Sequence, residues 1–396
     1  MRKILFFNQC DVVSGQFNFL SQLVENWKRE DRKMLVCNRS LEAEGISICK
    51  KLDRSRPDIR FEIFNAPTIT EVYSRFRALR YIHVILRPLF LLFYTVLLFR
   101  ILLRTRPDVV VSNNGGYPAG EMNLAVIIAA KLVRIKRKIL IIHNYPKRKA
   151  AFPSLEFFLD KAVSFSSDVI VTVSRAVSIQ LNKMRAFSKR VIWIHNGIST
   201  KKKEDLPPSK RYQHLGISKR GKVIGFIGVL EERKGLLYLA KALPYVLKKF
   251  PNTKLIIIGK GDEEYLAKLK GLCESLGIEK NVIFTGHVPN ALQFMECFNV
   301  LVLPSIKYES FGLVILEAML YKKPVIVTSS GGMKEVVIDK KTGFIINPRD
   351  DKALADKISY MFANPDVSKK MGKAGYQRLI NKFTIETMVN KYYELI

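Results

Sequence analysis

The sequence predicts an α/β protein of two Rossmann-like domains facing across a cleft. Three observations predict it. Short apolar runs of strand length alternate with helix-length stretches in both halves, the pattern of parallel sheets built from β-α units. The run Lys201–Lys210 (KKKEDLPPSK) has the composition of an exposed linker between the two series. A chain of 396 residues is long enough for two ordinary domains. The expected division is residues 1–200, residues 201–380 and a last helix over residues 381–396.

The first half opens with an apolar run, Ile4–Phe7. Its core is too short for a signal peptide, so it reads as a buried strand. Asn8–Gly15 is a polar turn, followed by a helix from about Gln16 to Arg29. Lys33–Cys37 and Arg60–Ile63 are further strands. Pro107–Ser112 is the next, followed by an Asn-Asn-Gly-Gly turn, a helix over Gly120–Val133 and a strand over Lys138–Ile142. His143 sits at that strand's C-terminal end, where ligands bind in open parallel sheets, so it is a candidate site residue. Asp168–Val173 is a strand with Ser174 as the N-cap of the next helix. Val191–Ile194 is the last strand before the turn Asn196-Gly197.

The segment 82–106 separates this chain from an ordinary soluble enzyme. It contains the apolar and aromatic run Leu89–Phe99. A spanning helix needs about 20 predominantly apolar residues, and His83, Arg87, Pro88 and Arg100 interrupt or flank the run. Spanning would also part the first strands from the strand at Pro107. Two readings are open: a buried helix of the first domain, or a helix partly embedded in a membrane surface. Arg75, Arg77, Arg80, Arg87, Arg100, Arg104 and Arg106 surround it, with Arg134–Lys138 and Lys147–Lys149 adding to a basic face. Apolar bulk flanked by arginine suits anionic headgroups, at about 1 kcal/mol per nearby cation. The net charge of +31 is spread over both halves and implies a polyanionic neighbour or substrate. No nucleic-acid motif or aromatic-basic platform accompanies it. The five cysteines are odd in number and form no Cys-x-x-Cys, which argues against a disulfide framework or zinc site and suits a reducing compartment.

The second series has strands at Lys222–Ile227, Leu255–Ile258, Val282–Thr285, Val300–Leu303 and Val325–Thr328. After the first of these, Arg233 and Lys234 sit where the next helix begins. Cations there oppose the helix dipole by some 0.3–1 kcal/mol, which makes sense if an anion lies between. Gly259-Lys260-Gly261 lets backbone approach closely. His287 and Val288 follow a later strand.

Pro304–Glu335 carries the densest signal. Glu309-Ser310-Phe311-Gly312 forms a loop before a helix over about Gly312–Lys323 that is apolar nearly all round, and therefore buried. Glu317 lies in the middle of it with no partner within one turn, although a buried carboxylate needs one. Eight residues along one helix would set Glu309 and Glu317 roughly 80° apart. With Glu309 in the loop, both can face one ligand over the helix N-terminus, where free N–H groups favour phosphate.

Glu-x7-Glu, the Ser-Phe-Gly after its first Glu, and the following Glu-Ala-Met, Lys-Pro-Val, Gly-Gly and Glu335 resemble the donor site of the retaining glycosyltransferase family 4. The resemblance covers most of the chain. It implies a fold of the GT-B type, a nucleotide diphosphate sugar as donor substrate and a final helix packed back on the first domain. By resemblance, Arg233 and Lys234 hold the diphosphate and Glu317 the ribose hydroxyls. Glu309 positions the donor sugar with the backbone of Ser310, Phe311, Gly312 and Leu313, and His143 touches the sugar. The loop at Ser14-Gly15 stands where the family carries a glycine pair, which makes Gly15 a donor-side candidate. Ser199 stands where the family has Asp.

No Walker A, Asp-x-Asp or clustered His and Cys set occurs, so neither a metal nor a cofactor is expected. The expected activity is hexosyl transfer to a hydroxyl of a lipid-linked or saccharide acceptor. It would take place in the cytoplasm, at the inner face of an anionic cell membrane. The rivals are a non-catalytic basic protein binding membrane or another polyanion, and a sugar-nucleotide epimerase.

Overall fold

A computed structural model describes residues 1–11, 15–28, 30–75, 83–147, 153–189, 191–201, 210–211, 213, 215–218, 221–288 and 290–396. Ser14, Arg77, Arg80, Arg148, Lys149 and most of the 201–210 linker lie outside the described residues. The chain forms two compact units, Met1–Asn196 with Ile385–Ile396, and Gly197–Thr384. The boundary thus falls ahead of the polar linker.

The first unit holds β1 (Lys3–Asn8), β2 (Arg32–Asn38), β3 (Ile59–Phe64), β4 (Val109–Gly116), β5 (Arg137–Asn144), β6 (Val169–Thr172) and β7 (Val191–Trp193). All pair in parallel in the order β3-β2-β1-β4-β5-β6-β7. Between them run α1 (Gly15–Glu25), α2 (Ala43–Ser55), α3 (Ile69–Arg75), α4 (His83–Thr105), α5 (Glu121–Leu132), α6 (Pro153–Ser166) and α7 (Arg175–Met184). Both faces of the sheet are covered, so successive strand residues feed different cores. Leu5, Phe7, Val110 and Leu140 pack with α4 and α5; Ile4, Phe6, Val109 and Ile139 pack with α1 on the other side.

β4 is longer than the sequence suggests. Asn113–Gly116, expected as a turn, continues the strand, with Asn113 paired to Ile141 and Gly116 to Asn144. The Asn113 amide donates to Asn8 Oδ1 and the Asn114 amide to Ala119 O, which removes their usual preference for a turn. Ser174 caps α7 as expected, accepting from Val177 N at 3.3 Å.

α4 is buried along one face and exposed along the other. One face carries Tyr94, Leu98 and Leu102 into the core, and the Tyr94 hydroxyl donates to Pro67 O at 2.7 Å. The opposite face leaves Leu89 and Leu92 each 62% exposed, with Phe93, Val96 and Leu103 also exposed. By length and composition Leu86–Thr105 could cross a membrane, but it is the crossover from β3 to β4 within one sheet.

The second unit holds β8 (Val223–Ile227), β9 (Lys254–Ile258), β10 (Val282–Gly286), β11 (Val300–Leu303), β12 (Val325–Thr328) and β13 (Gly343–Ile346), parallel in the order β10-β9-β8-β11-β12-β13. Its helices are α8 (Leu236–Lys249), α9 (Glu263–Ser275), α10 (Leu313–Leu320), α11 (Met333–Val336), α12 (Asp351–Ala363) and α13 (Pro365–Lys382). β13 was not expected from the sequence, since four residues between Lys-Lys-Thr and Asn-Pro carry little pattern. The closing helix α14 (Ile385–Tyr393) belongs to the first unit and buries Ile385, Met388, Val389 and Tyr392 beside Phe19 and Trp27.

Candidate active site

Each sheet reverses its strand order once, at β1/β4 and at β8/β11, and in open parallel sheets ligands bind beyond the strand C-termini at such a reversal. In the second unit the loops leaving β8 and β11 touch. Gly235 has φ +71° and its α-carbon faces the Pro304 carbonyl so closely that a side chain would collide. The amide of Ile306 donates to Arg233 O at 2.7 Å. Arg233 and Lys234 lie in a 3₁₀ turn over Glu232–Lys234, ahead of Gly235, so they precede the helix rather than open it.

This clamp sets Lys234 on Glu309. Lys234 Nζ donates to Glu309 Oε2 at 2.6 Å, and the Ser305 hydroxyl donates to the same oxygen at 3.0 Å. Arg233 Nη1 stands 3.7 Å from it, while Arg233 Nη2 pairs with Glu231 at 2.6 Å. The Glu309 carbonyl accepts from Gly332 N at 2.9 Å, which fastens the loop to the Gly331-Gly332 turn. Burial is the largest influence on the Glu309 carboxyl and alone would raise it; Lys234, Arg233 and Ser305 together outweigh burial, and the group is held below its usual value. It is therefore ionised at neutral pH.

Gly312 adopts φ +84°, a left-handed conformation that suits glycine, and α10 starts at the next residue. Ser310 and Phe311 are buried, and the Phe311 ring packs edge-on against Phe383 at 5.9 Å. Phe311 thus contributes backbone to any site while its side chain serves the core. Leu313 is half-buried in the first turn. Glu317 is half-buried too, and among the described residues its carboxylate has no hydrogen-bond or ion-pair partner. Burial pushes it up to about 7. The helix keeps an acidic side chain, at a cost, where its neighbours are Leu, Ile and Ala.

The glycines after β9 let backbone approach closely, as expected, and the backbone they admit is the protein's own. Gly259 lies against the carbonyl of Gly228, and Gly261 against that of Leu230. They let two loops of the protein meet, with Leu230 N donating to Lys260 O at 2.8 Å.

The first unit's edge is built of neutral amides. Gln16 Nε2 donates to Asn8 Oδ1 at 3.0 Å and to Asn113 O at 2.6 Å. Asn113 Nδ2 donates to Asn8 Oδ1 at 2.8 Å and to Gln16 O at 3.1 Å. Its Oδ1 therefore faces His143 Nε2, at 2.7 Å, which assigns the proton to Nε2 and leaves Nδ1 an acceptor. Burial lowers His143 to about 3, so the ring is neutral at physiological pH. Phe19 packs edge-on against it at 4.6 Å. The Nδ2 groups of Asn8 and Asn123 are buried without a partner. Gly15 is exposed and opens α1 in this unit.

The structure thus brings Glu309, Arg233 and Lys234 together in the second unit, at the base of the loop that leads to Glu317, and places His143 and Gly15 in the first. Sequence reasoning missed Ser305 and Glu231, and the amides Asn8, Gln16 and Asn113. Asn8, Asn113 and Ser305 had a signal, as polar residues at the end of apolar runs; Gln16 and Glu231 had none.

Two family profiles match: "Glycosyltransferase Family 4" over residues 49–202 and "Glycosyl transferases group 1" over residues 210–378. The chain belongs to glycosyltransferase family 4. Among curated members of the wider group, it is 29% identical over 219 residues to the phosphatidyl-myo-inositol mannosyltransferase of Mycobacterium leprae. That match takes in 54% of this chain and 56% of the relative. It is 37% identical over 144 residues to an uncharacterized glycosyltransferase of Methanocaldococcus jannaschii, 36% of each. The chain therefore spans about half or less of these relatives' length. Solved structures share the fold along the whole chain. Anabaena HepE in complex with UDP and glucose has a TM-score of 0.76 at 20% identity, over 100% of this chain and 99% of that one. A Rickettsia africae glycosyltransferase has 0.78 at 20%, over 100% and 97%. Both units of this family 4 chain thus adopt the GT-B pattern of two parallel α/β domains.

Proposed function

We propose that this protein is a retaining glycosyltransferase. It would move a hexose from a nucleotide diphosphate sugar to a hydroxyl of a lipid-linked or polysaccharide-precursor acceptor at a membrane surface. The observation that carries the reading is the cluster at the β8/β11 edge: a buried, ionised Glu309 held by Lys234 and Arg233, with an unpartnered Glu317 inside the helix that follows.

The roles follow from charge. The departing diphosphate needs cations positioned before it leaves, because groups already in place cost no reorganisation during the reaction. Lys234 is fixed by Glu309 and serves as a point charge. Arg233 is the adjustable one, drawn from Glu231 onto phosphate with the bidentate geometry arginine favours. The first N–H groups of α10 add donors for the anion. Glu317 accepts from ribose hydroxyls, which repay its burial. Glu309, ionised beside the developing positive sugar, orients the donor and favours charge at the reacting carbon. His143, neutral, offers Nδ1 to a sugar hydroxyl. No metal enters this scheme, since Arg233 and Lys234 supply the neutralising charge.

The membrane part rests on α4. Burying one large apolar side chain is worth about 1.5–3 kcal/mol, and α4 presents five in one stripe between Arg87 and Arg104. The relative named for phosphatidyl-myo-inositol supports an acceptor of that kind. The protein would then work in the cytoplasm on the inner membrane face.

The test is calorimetric titration of UDP, GDP and ADP into the wild type, Arg233→Ala and Glu317→Ala. One nucleotide should bind, and both variants should weaken it by about tenfold or more. If the folded protein binds none, the transferase reading fails.

A further inference from the structure

We propose that a basic hollow at the foot of α4 seats the phosphate headgroup of an anionic phospholipid whose acyl chains lie along the helix's exposed stripe. This rests on the reading of α4 as membrane-facing. The hollow has a volume of about 710 Å³ and lies at the N-terminal edge of the first sheet, the opposite edge from His143.

Strand register explains its chemistry. Lys3 pairs with Arg32, and Met34 with Arg60. Side chains alternate along a strand, so Lys3, Arg32 and Arg60 share the face on which Leu5 and Phe7 meet α4. α4 ends before covering them, and Arg104 in its last turn lines the hollow beside them. Arg60 and Arg104 share one carboxylate, Glu62, at 3.2 and 3.4 Å. Lys33 is spent on Asp58 at 2.5 Å. Among the described residues, Lys3 and Arg32 have no carboxylate on their side chains. The hollow is thus short of negative charge.

Two features select a lipid over a free anion. Leu103, adjacent to Arg104, is exposed, and Leu89, Leu92, Phe93 and Val96 continue the apolar track along the same helix. A ligand charged at one end and apolar along its length satisfies both, whereas inorganic phosphate satisfies only the first.

The experiment compares binding to vesicles of phosphatidylcholine with and without phosphatidylglycerol. Three double variants are measured beside the wild type: Arg32→Ser with Arg60→Ser in the hollow, Lys369→Ser with Lys370→Ser as a charge-matched control on α13, and Leu92→Gln with Phe93→Gln on the stripe. The wild type should prefer the anionic vesicles. The hollow variant should lose about tenfold or more of that preference, at about 1 kcal/mol per cation, while the control stays within about twofold. A hollow variant indistinguishable from the control overturns the proposal and leaves the membrane reading standing. A stripe variant that binds both vesicles like the wild type overturns the membrane reading itself. Inorganic phosphate that abolishes the anionic preference would reassign the hollow to a free anion. Thermal melting and nucleotide titration of every variant establish that each is folded and that the donor site is unaffected.

Discussion

The two strand-order reversals of this chain occupy equivalent places and are built from opposite materials. At β8/β11 the side chains are charged, Arg233, Lys234, Glu231 and Glu309, tied by ion pairs of 2.6–3.7 Å. At β1/β4 they are amides and a histidine that burial keeps neutral. The difference teaches that topology fixes where a ligand goes, while the side chains fix what it is. Paired cations and a lone carboxylate suit a diphosphate with a ribose. A net of amides suits hydroxyls, which both donate and accept.

The comparison breaks most visibly at Lys234. Lys234→Ala leaves Glu309 buried and ionised beside a weaker partner, and removing one member of a buried pair costs about 3–5 kcal/mol. Thermal unfolding should show a large drop, partly restored when Glu309→Gln is added. If the single variant melts like the wild type, Glu309 is not dependent on Lys234.

Glu317→Gln should act in the other direction. The carboxyl ionises near 7 when folded against an ordinary 4.5, so folding is penalised progressively as pH rises from 4.5 through 7 and fully above. The variant should be more stable than the wild type by up to about 3 kcal/mol at alkaline pH, and equal to it below pH 4.5. It should nonetheless bind nucleotide less tightly. Equal melting at both pH values would mean the carboxylate is solvated.

The amide net gives a smaller effect. Asn113→Leu strands the His143 N–H and removes one of the two donors to Asn8 Oδ1, at about 1–3 kcal/mol. It should leave nucleotide affinity nearly untouched if the second unit alone holds the nucleotide. The smallest expected change is a gain. Glu231→Gln releases Arg233 from its competing carboxylate, and nucleotide should bind a few-fold tighter, by the few tenths to 1 kcal/mol of a partly exposed ion pair. Unchanged or weaker binding would show that Glu231 orients Arg233 rather than restrains it.

The charged edge was largely legible in the sequence, whereas of the neutral one only His143 was. Glu317, Arg233 and Lys234 stand out because each breaks a local rule, a carboxylate in an apolar helix or cations ahead of a helix start, and Glu309 stands out by its spacing from Glu317. The amides break none. Asn113-Asn114-Gly115-Gly116 obeys turn preferences, and only the pairing with β5 shows it to be strand. Gln16 reads as an ordinary first-turn residue until its bonds to Asn8 and Asn113 are seen. β13 was lost for a related reason, because its glycine is required by the close approach to the Val325 carbonyl, a contact invisible along the chain. The apolar strands were placed to within a few residues, since burial on both faces leaves a continuous hydrophobic run.

The closing helix α14 fixes an order of events during synthesis. Trp27, Phe19 and the first strands leave the ribosome early, yet Met388, Val389 and Tyr392, which complete their core, are translated only after the whole of the second unit. At roughly 5–20 residues per second that delay is on the order of tens of seconds. The first unit to be made is therefore the last to be finished. For that interval the side of its core that α14 covers stays open, and a ribosome stalled within the second unit would leave it so.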